Sequence, residues 1–208
     1  RMSIPIEING VIFPELDKKR VAVEGITAHI ATIGLTADGK ADFSGEGIHI
    51  KASVATGKAP VSELAEYFGD NFPILKKLRT NAMLSVNASC DGIYDKRSGE
   101  LPPLSVQILV PDSRIGWEGI QGDGRFNLDM TARSMDGKLT AEVPDFRLSV
   151  NGMKITVSGT ADDLLGDDPA FDISSDIHVV LDSLAGYLPD SLGISFHGDL
   201  EGIIEGDF

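Results

Sequence analysis

Four histidines, His29, His49, His178 and His197, are the first residues in this sequence with the means for chemistry. Imidazole titrates near neutrality and ligates transition metals. Each sits among strand-like residues on the polar parity, and no pair has the His-x-Glu or His-x-x-x-His spacing of a metal site. They read as solvated strand histidines, and no metal is expected. The acidic run Asp162-Asp163-Leu164-Leu165-Gly166-Asp167-Asp168-Pro169 offers oxygen ligands for calcium. It lacks the alternating Asp/Asn spacing of a helix-flanked calcium loop, so it reads as a solvated loop. Gly119, Gly122 and Gly124 precede a strand rather than a helix, which removes the helix N-terminus that a phosphate cradle needs. They read as turn residues. No Gly-x-Ser-x-Gly elbow places a serine for nucleophilic attack, and no pair of carboxylates stands out for acid–base work on a glycoside. The single tryptophan, Trp117, suits packing better than sugar stacking, because sugar-binding modules display several exposed aromatics. One cysteine, Cys90, excludes an internal disulfide framework and any Cys-based zinc site. The expectation is a protein with no catalytic residues and no cofactor, not an enzyme.

Composition narrows the partners. The chain has 208 residues, 18 Lys and Arg against 32 Asp and Glu, and a net charge of −14. Nucleic acid is a poor partner, since phosphate binding requires clustered cations. Apolar residues make up 42%, which is neither a disordered acidic tail nor a membrane-embedded chain. No stretch approaches the roughly 18 consecutive apolar residues of a spanning helix. Arg1 precedes Met2, and the final residues still read as strand and turn, so the sequence reads as a piece of a longer chain.

The elements that must carry these residues are strands. Phe126, Leu128, Met130 and Ala132 alternate with Asn127, Asp129 and Thr131. The same two-residue period runs through Leu139-Ala141-Val143, Phe146-Leu148-Val150, Met153-Ile155-Val157, and Phe171-Ile173 with Ile177-Val179. In the N-terminal half it recurs in Ile4-Ile6-Ile8, Ile48-Ile50-Ala52-Val54 and Leu84-Val86-Ala88. Successive side chains on a strand point to opposite faces, so each segment has one apolar and one wet face. Asn9-Gly10, Asp38-Gly39, Asp136-Gly137 and Asn151-Gly152 supply the positive φ of tight hairpins. Links that short make consecutive strands antiparallel.

Two segments have helical spacing: Val61 to Gly69, with Ser62 as N-cap, and Leu181 to Leu188, with Asp182 in that role. A third candidate, Ile74 to Arg79, follows Pro73. Val61-Ser62-Glu63-Leu64-Ala65-Glu66-Tyr67-Phe68 aligns with Leu181-Asp182-Ser183-Leu184-Ala185-Gly186-Tyr187-Leu188, with Leu, Ala and Tyr identical. A strand follows each copy, Leu84 to Ile93 matching Ile194 to Ile203. The whole chain, 1–208, then reads as one β-rich domain of two imperfect repeats, about 1–110 and 111–208.

With Leu181-Asp182-Ser183-Leu184-Ala185-Gly186-Tyr187-Leu188-Pro189, the following Ile194-Ser195-Phe196-His197-Gly198-Asp199-Leu200-Glu201-Gly202, the run Gly122 to Asp129 and the run Val157 to Asp163, the sequence resembles the AsmA-like family of bacterial envelope proteins, related to TamB and the bridge-like lipid-transfer proteins, in its Bacteroidetes form. The resemblance implies a curved, twisted antiparallel sheet forming a repeating β-groove, with two short helices. It implies a non-catalytic periplasmic role in outer-membrane assembly and phospholipid transport, in a full-length protein anchored in the inner membrane. Phospholipid acyl chains would be the partners, and envelope membranes would be met through parts outside this segment. The groove candidates are Ile48, Ile50, Leu84, Val86, Leu128, Met130, Ile155 and Val157. The alternative is a closed β-sandwich, an extracellular module for adhesion or glycan binding.

Overall fold

The computed structural model describes residues 6–30, 33–69, 76–95, 97, 102–118, 124–135, 137–181 and 198–207. Its strands are β1 (Ile6–Glu15), β2 (Arg20–Ile30), β3 (Ile33–Asp42), β4 (Ile48–Thr56), β5 (Ala59–Pro60), β6 (Leu78–Thr80), β7 (Met83–Tyr94), β8 (Leu104–Trp117), β9 (Gly124–Met135), β10 (Lys138–Val150), β11 (Met153–Asp162), β12 (Ala170–Val180) and β13 (Asp199–Asp207). A 3-10 turn, Leu16–Lys18, links β1 to β2, and one helix, α1 (Val61–Phe68), lies between β5 and β6. The main path runs β1-β2-β3-β4-β7-β8-β9-β10-β11-β12-β13, every neighbour antiparallel. The two short strands fill in beside it, β5 against β7 and β6 against β8. At about 4.8 Å between strands, eleven strands abreast span roughly 48 Å.

The described strands form a single open sheet. The closed β-sandwich does not form among them, because no second sheet stacks on the first. The accessible surface, 14145 Å², exceeds the roughly 9,300 Å² expected of a compact monomer of this mass. Among the described residues no large side chain is fully buried, and the buried apolar residues are Ala59, Ala65, Ala82, Val110 and Val179. Ala59 and Ala65 lie in β5 and α1, and Ala82 follows β6 and accepts from the Val61 N–H.

α1 begins directly after Pro60 rather than from a Ser62 cap. Its first free N–H, that of Val61, donates to the carbonyl of Ala82 at 2.9 Å, so the sheet does the work of a capping side chain. Eight residues cannot hold a helix alone in water, and this one is held by the strands on either side. Of the helix expected over Ile74 to Arg79, Lys76 and Lys77 form a 3-10 turn, whereas Leu78 and Arg79 are strand residues paired with Trp117 and Gly116. The second expected helix, beyond Leu181, lies outside the described residues.

Two of the four expected hairpins are in place. Gly137, with φ 75°, turns β9 into β10, and Asn151-Gly152, with φ 45° and 80°, joins Val150 to Met153. The other two dipeptides lie inside strands. Asp38 accepts a hydrogen bond from the Gly25 N–H at 2.8 Å, tying β3 to an irregularity in β2. Gly39 faces Ala52 so closely that a Cβ there would meet the Ala52 Cβ at 3.3 Å. Gly124 is also a strand residue, facing Ile115 and Val150, rather than a turn.

Candidate functional site

In an antiparallel ladder, paired residues share a face. One rung runs Ile26, Ala37, Val54, Ala88, Val106, Ala132, Ala141, Ala161, Phe171 across nine strands, entirely apolar. The next rung, one residue along, runs Thr27, Thr36, Ala55, Asn87, Gln107, Thr131, Glu142, Thr160, Asp172 and is polar almost throughout. Traced over the whole main path, the register places no Asp, Glu, Lys, Arg or His on the first face among the described residues.

All eight groove candidates fall on that face, and all are half-buried. Val86, Ile108 and Met130 occupy one rung, and Leu128, Phe146 and Val157 another. Ile155 pairs with Leu148 and Ile177, Ile48 with Tyr94, Ile50 with Gly92, and Leu84 with Ala59 beside α1. Leu128 and Val157 border a depression of about 410 Å³ whose apolar walls include Phe146, Phe171 and Ile173 and along which β11 runs from Val157 through Ser158 to Ala161. Gly159 lines it, and a Cβ there would sit 2.5 Å from the Asp172 carbonyl oxygen. Sequence reasoning missed Phe146 and Phe171 as walls, although both lie on the apolar parity. The outer strands carry the face into solvent: Ile8 and Ile12 of β1 are 65% and 64% exposed, and Leu200 and Ile204 of β13 are both 58% exposed.

The opposite face is held by cross-strand charge. Arg20 donates to Asp42 at 2.7 Å, and Lys51 and His49 both reach Asp91, at 2.8 and 3.2 Å. The Ser44 hydroxyl and N–H, followed by Arg20, hold the Asp42 carboxyl far below the usual carboxylate range. Lys51, ahead of His49, lowers Asp91. Arg125 forks onto both oxygens of Asp112 and lowers it. His178 meets Glu201 at 3.0 Å, His29 is exposed, and His197 lies outside the described residues. Depressions of about 590 and 600 Å³ on this face are larger than the apolar one, but charged side chains line them. Among the described residues no group of three or more His, Cys, Asp or Glu can hold a metal ion. The acidic run is a turn from β11 to β12, closed by the Gly166 N–H on the Asp163 carbonyl at 2.8 Å.

No family model, curated protein or solved structure matches the chain.

Proposed function

We propose that this chain is a non-catalytic, AsmA-like lipid-handling segment of the bacterial envelope. In this reading the sheet curves into a trough whose apolar face holds phospholipid acyl chains, in outer-membrane assembly or phospholipid transport. The full-length protein would be periplasmic and anchored in the inner membrane through parts outside this sequence. One observation carries the reading: an apolar face continuous over eleven strands, free of charge, with no second layer over it among the described residues. Water is a poor cover for such a face, and each methylene buried against it contributes about 0.8 kcal/mol. The polar face, laced by its own ion pairs, stays in water. The adhesion or glycan-binding alternative is built on two facing sheets, and the described strands make one.

The test is organic extraction of protein purified without detergent, followed by lipid mass spectrometry. Phospholipid at a fixed ratio to protein supports the reading. Lipid-free protein in repeated preparations, with an experimental structure whose apolar face is sealed by protein, removes it.

A further inference from the structure

The polar face is electrically uneven along the strands of β8 to β13. One rung near one end of these strands runs Arg114, Arg125, Ser149, Lys154, His178, Glu201. Toward the other end the same face carries Asp129, Glu142, Asp162 and Asp172, beside the acidic turn. Arg114 and Arg125 are direct cross-strand partners, and the Asp112 carboxylate on Arg125 offsets one of the two like charges. Asp112 engages Arg125 from both its oxygens, whereas Arg114 and Lys154 have no ion-pair partner among the described residues. Between Arg125 and Lys154 stands Ser149, whose small side chain leaves a gap two strand spacings wide, about 9.6 Å. Arg79, opposite Gly116, extends the positive charge on the same face.

We propose that Arg114, Arg125, Ser149 and Lys154 form a binding site for a phosphate-type oxyanion. Guanidinium forks and an ammonium suit tetrahedral oxyanions, and the Ser149 hydroxyl supplies a further donor over the gap. The site lies on the face opposite the proposed acyl trough, so it stands whether or not that reading holds.

The experiment titrates the purified 208-residue chain with inorganic phosphate at low salt, following heat by calorimetry and the ¹⁵N resonances of the arginine side chains. Saturable binding is expected, with Arg114 and Arg125 side-chain signals shifting. R114Q and K154Q each weaken it, roughly tenfold, as loss of one charge-assisted contact implies. R133Q, which removes a cation from the acidic end of the same face, leaves it unchanged. Sedimentation with phosphatidylglycerol vesicles against pure phosphatidylcholine vesicles separates the two sources. Binding to the charged vesicles alone, lost in R114Q, assigns the oxyanion to lipid headgroups, and phosphate binding without vesicle binding assigns it to a free or small-molecule phosphate. No saturation by phosphate, or equal weakening by R133Q, overturns the site. Circular dichroism of each variant confirms that the sheet is kept.

Discussion

Val157 and Ser158 are adjacent in β11 yet face opposite sides of the sheet, which makes them a matched pair for deciding whether the apolar face is open. Val157 stands between Phe146 and Ser175 beside the depression, and Ser158 is paired with Ser174 on the polar face. Both variants end in aspartate, but Val157→Asp also gives up the higher strand propensity of valine, about 1 kcal/mol at most, and that difference is set against the comparison. If the face is open, the new carboxylate at 157 keeps its water in the lipid-free protein. Val157→Asp should then be no more than about 2 kcal/mol less stable than Ser158→Asp in urea, the loss of valine's strand propensity and half-buried methyl groups. Lipid changes the balance. At about 30 Å³ per water, the 410 Å³ depression holds roughly 14 waters, and an acyl segment entering it strips them from the carboxylate. Burying that charge costs several kcal/mol, and about 3 kcal/mol corresponds to roughly 150-fold weaker lipid binding. Ser158→Asp should retain its lipid. The assays are urea unfolding by circular dichroism and lipid content by mass spectrometry. A lipid-free Val157→Asp that is 3 kcal/mol or more less stable than Ser158→Asp means that protein already covers Val157, and the reasoning fails.

Thr56 accepts a hydrogen bond from the part-buried Val86 N–H at 2.8 Å where β4 leaves β7, so Thr56→Val should cost about 1–3 kcal/mol in urea unfolding. Gly159→Ala places a methyl 2.5 Å from the Asp172 carbonyl oxygen and should destabilise the β11–β12 pair by roughly 1–3 kcal/mol, read as faster amide exchange in both strands. Asp42 has its native pKa depressed, so its contribution to stability is present above the unfolded value of about 3.9 and is lost only as pH falls toward the lower native value. Its ¹³C carboxyl shift should therefore stay flat from neutral pH down through 4, whereas that of Asp42 in Ser44→Ala should begin to move at higher pH than in the parent protein.

Much of the sheet was legible because a half-buried strand writes its environment into every second residue. All eight groove candidates lie on the apolar parity, and the register puts all eight on one face. What the sequence hid was how that face is kept across irregular strands. The alternating segments Leu139-Ala141-Val143 and Phe146-Leu148-Val150 differ in parity yet belong to one strand, β10, with a shifted register at Pro144-Asp145. The turn dipeptides misled for a related reason: Gly10 and Gly39 are used for close approach between strands rather than for reversal. Whether anything covers the apolar face was not legible, because an open trough and a closed core demand the same alternation.

The shift in β10 has a twin. Val110-Pro111-Asp112-Ser113-Arg114 in β8 and Val143-Pro144-Asp145-Phe146-Arg147 in β10 share the pattern Val-Pro-Asp-x-Arg, and the register shifts at both. Proline has no N–H for the ladder, so an extra residue is cheapest there. Each bulge is then pinned: the Ser113 hydroxyl donates to the Pro111 carbonyl at 2.6 Å, and the Asn127 amide donates to the Asp145 carboxylate at 2.7 Å. In both strands the apolar residues change parity across the bulge, from Ile108 and Val110 to Ile115, and from Ala141 and Val143 to Phe146 and Leu148. A bulge without that change would turn half a strand's apolar side chains into water, since a one-residue slip reverses every face. Bulges also bend the strand and raise its local twist. The sequence has therefore coupled two features at each of these points, a shift of register and an unbroken apolar face on one side of the sheet. A slip at either point without the change of parity would break that face, so the bulge and the change of parity occur together.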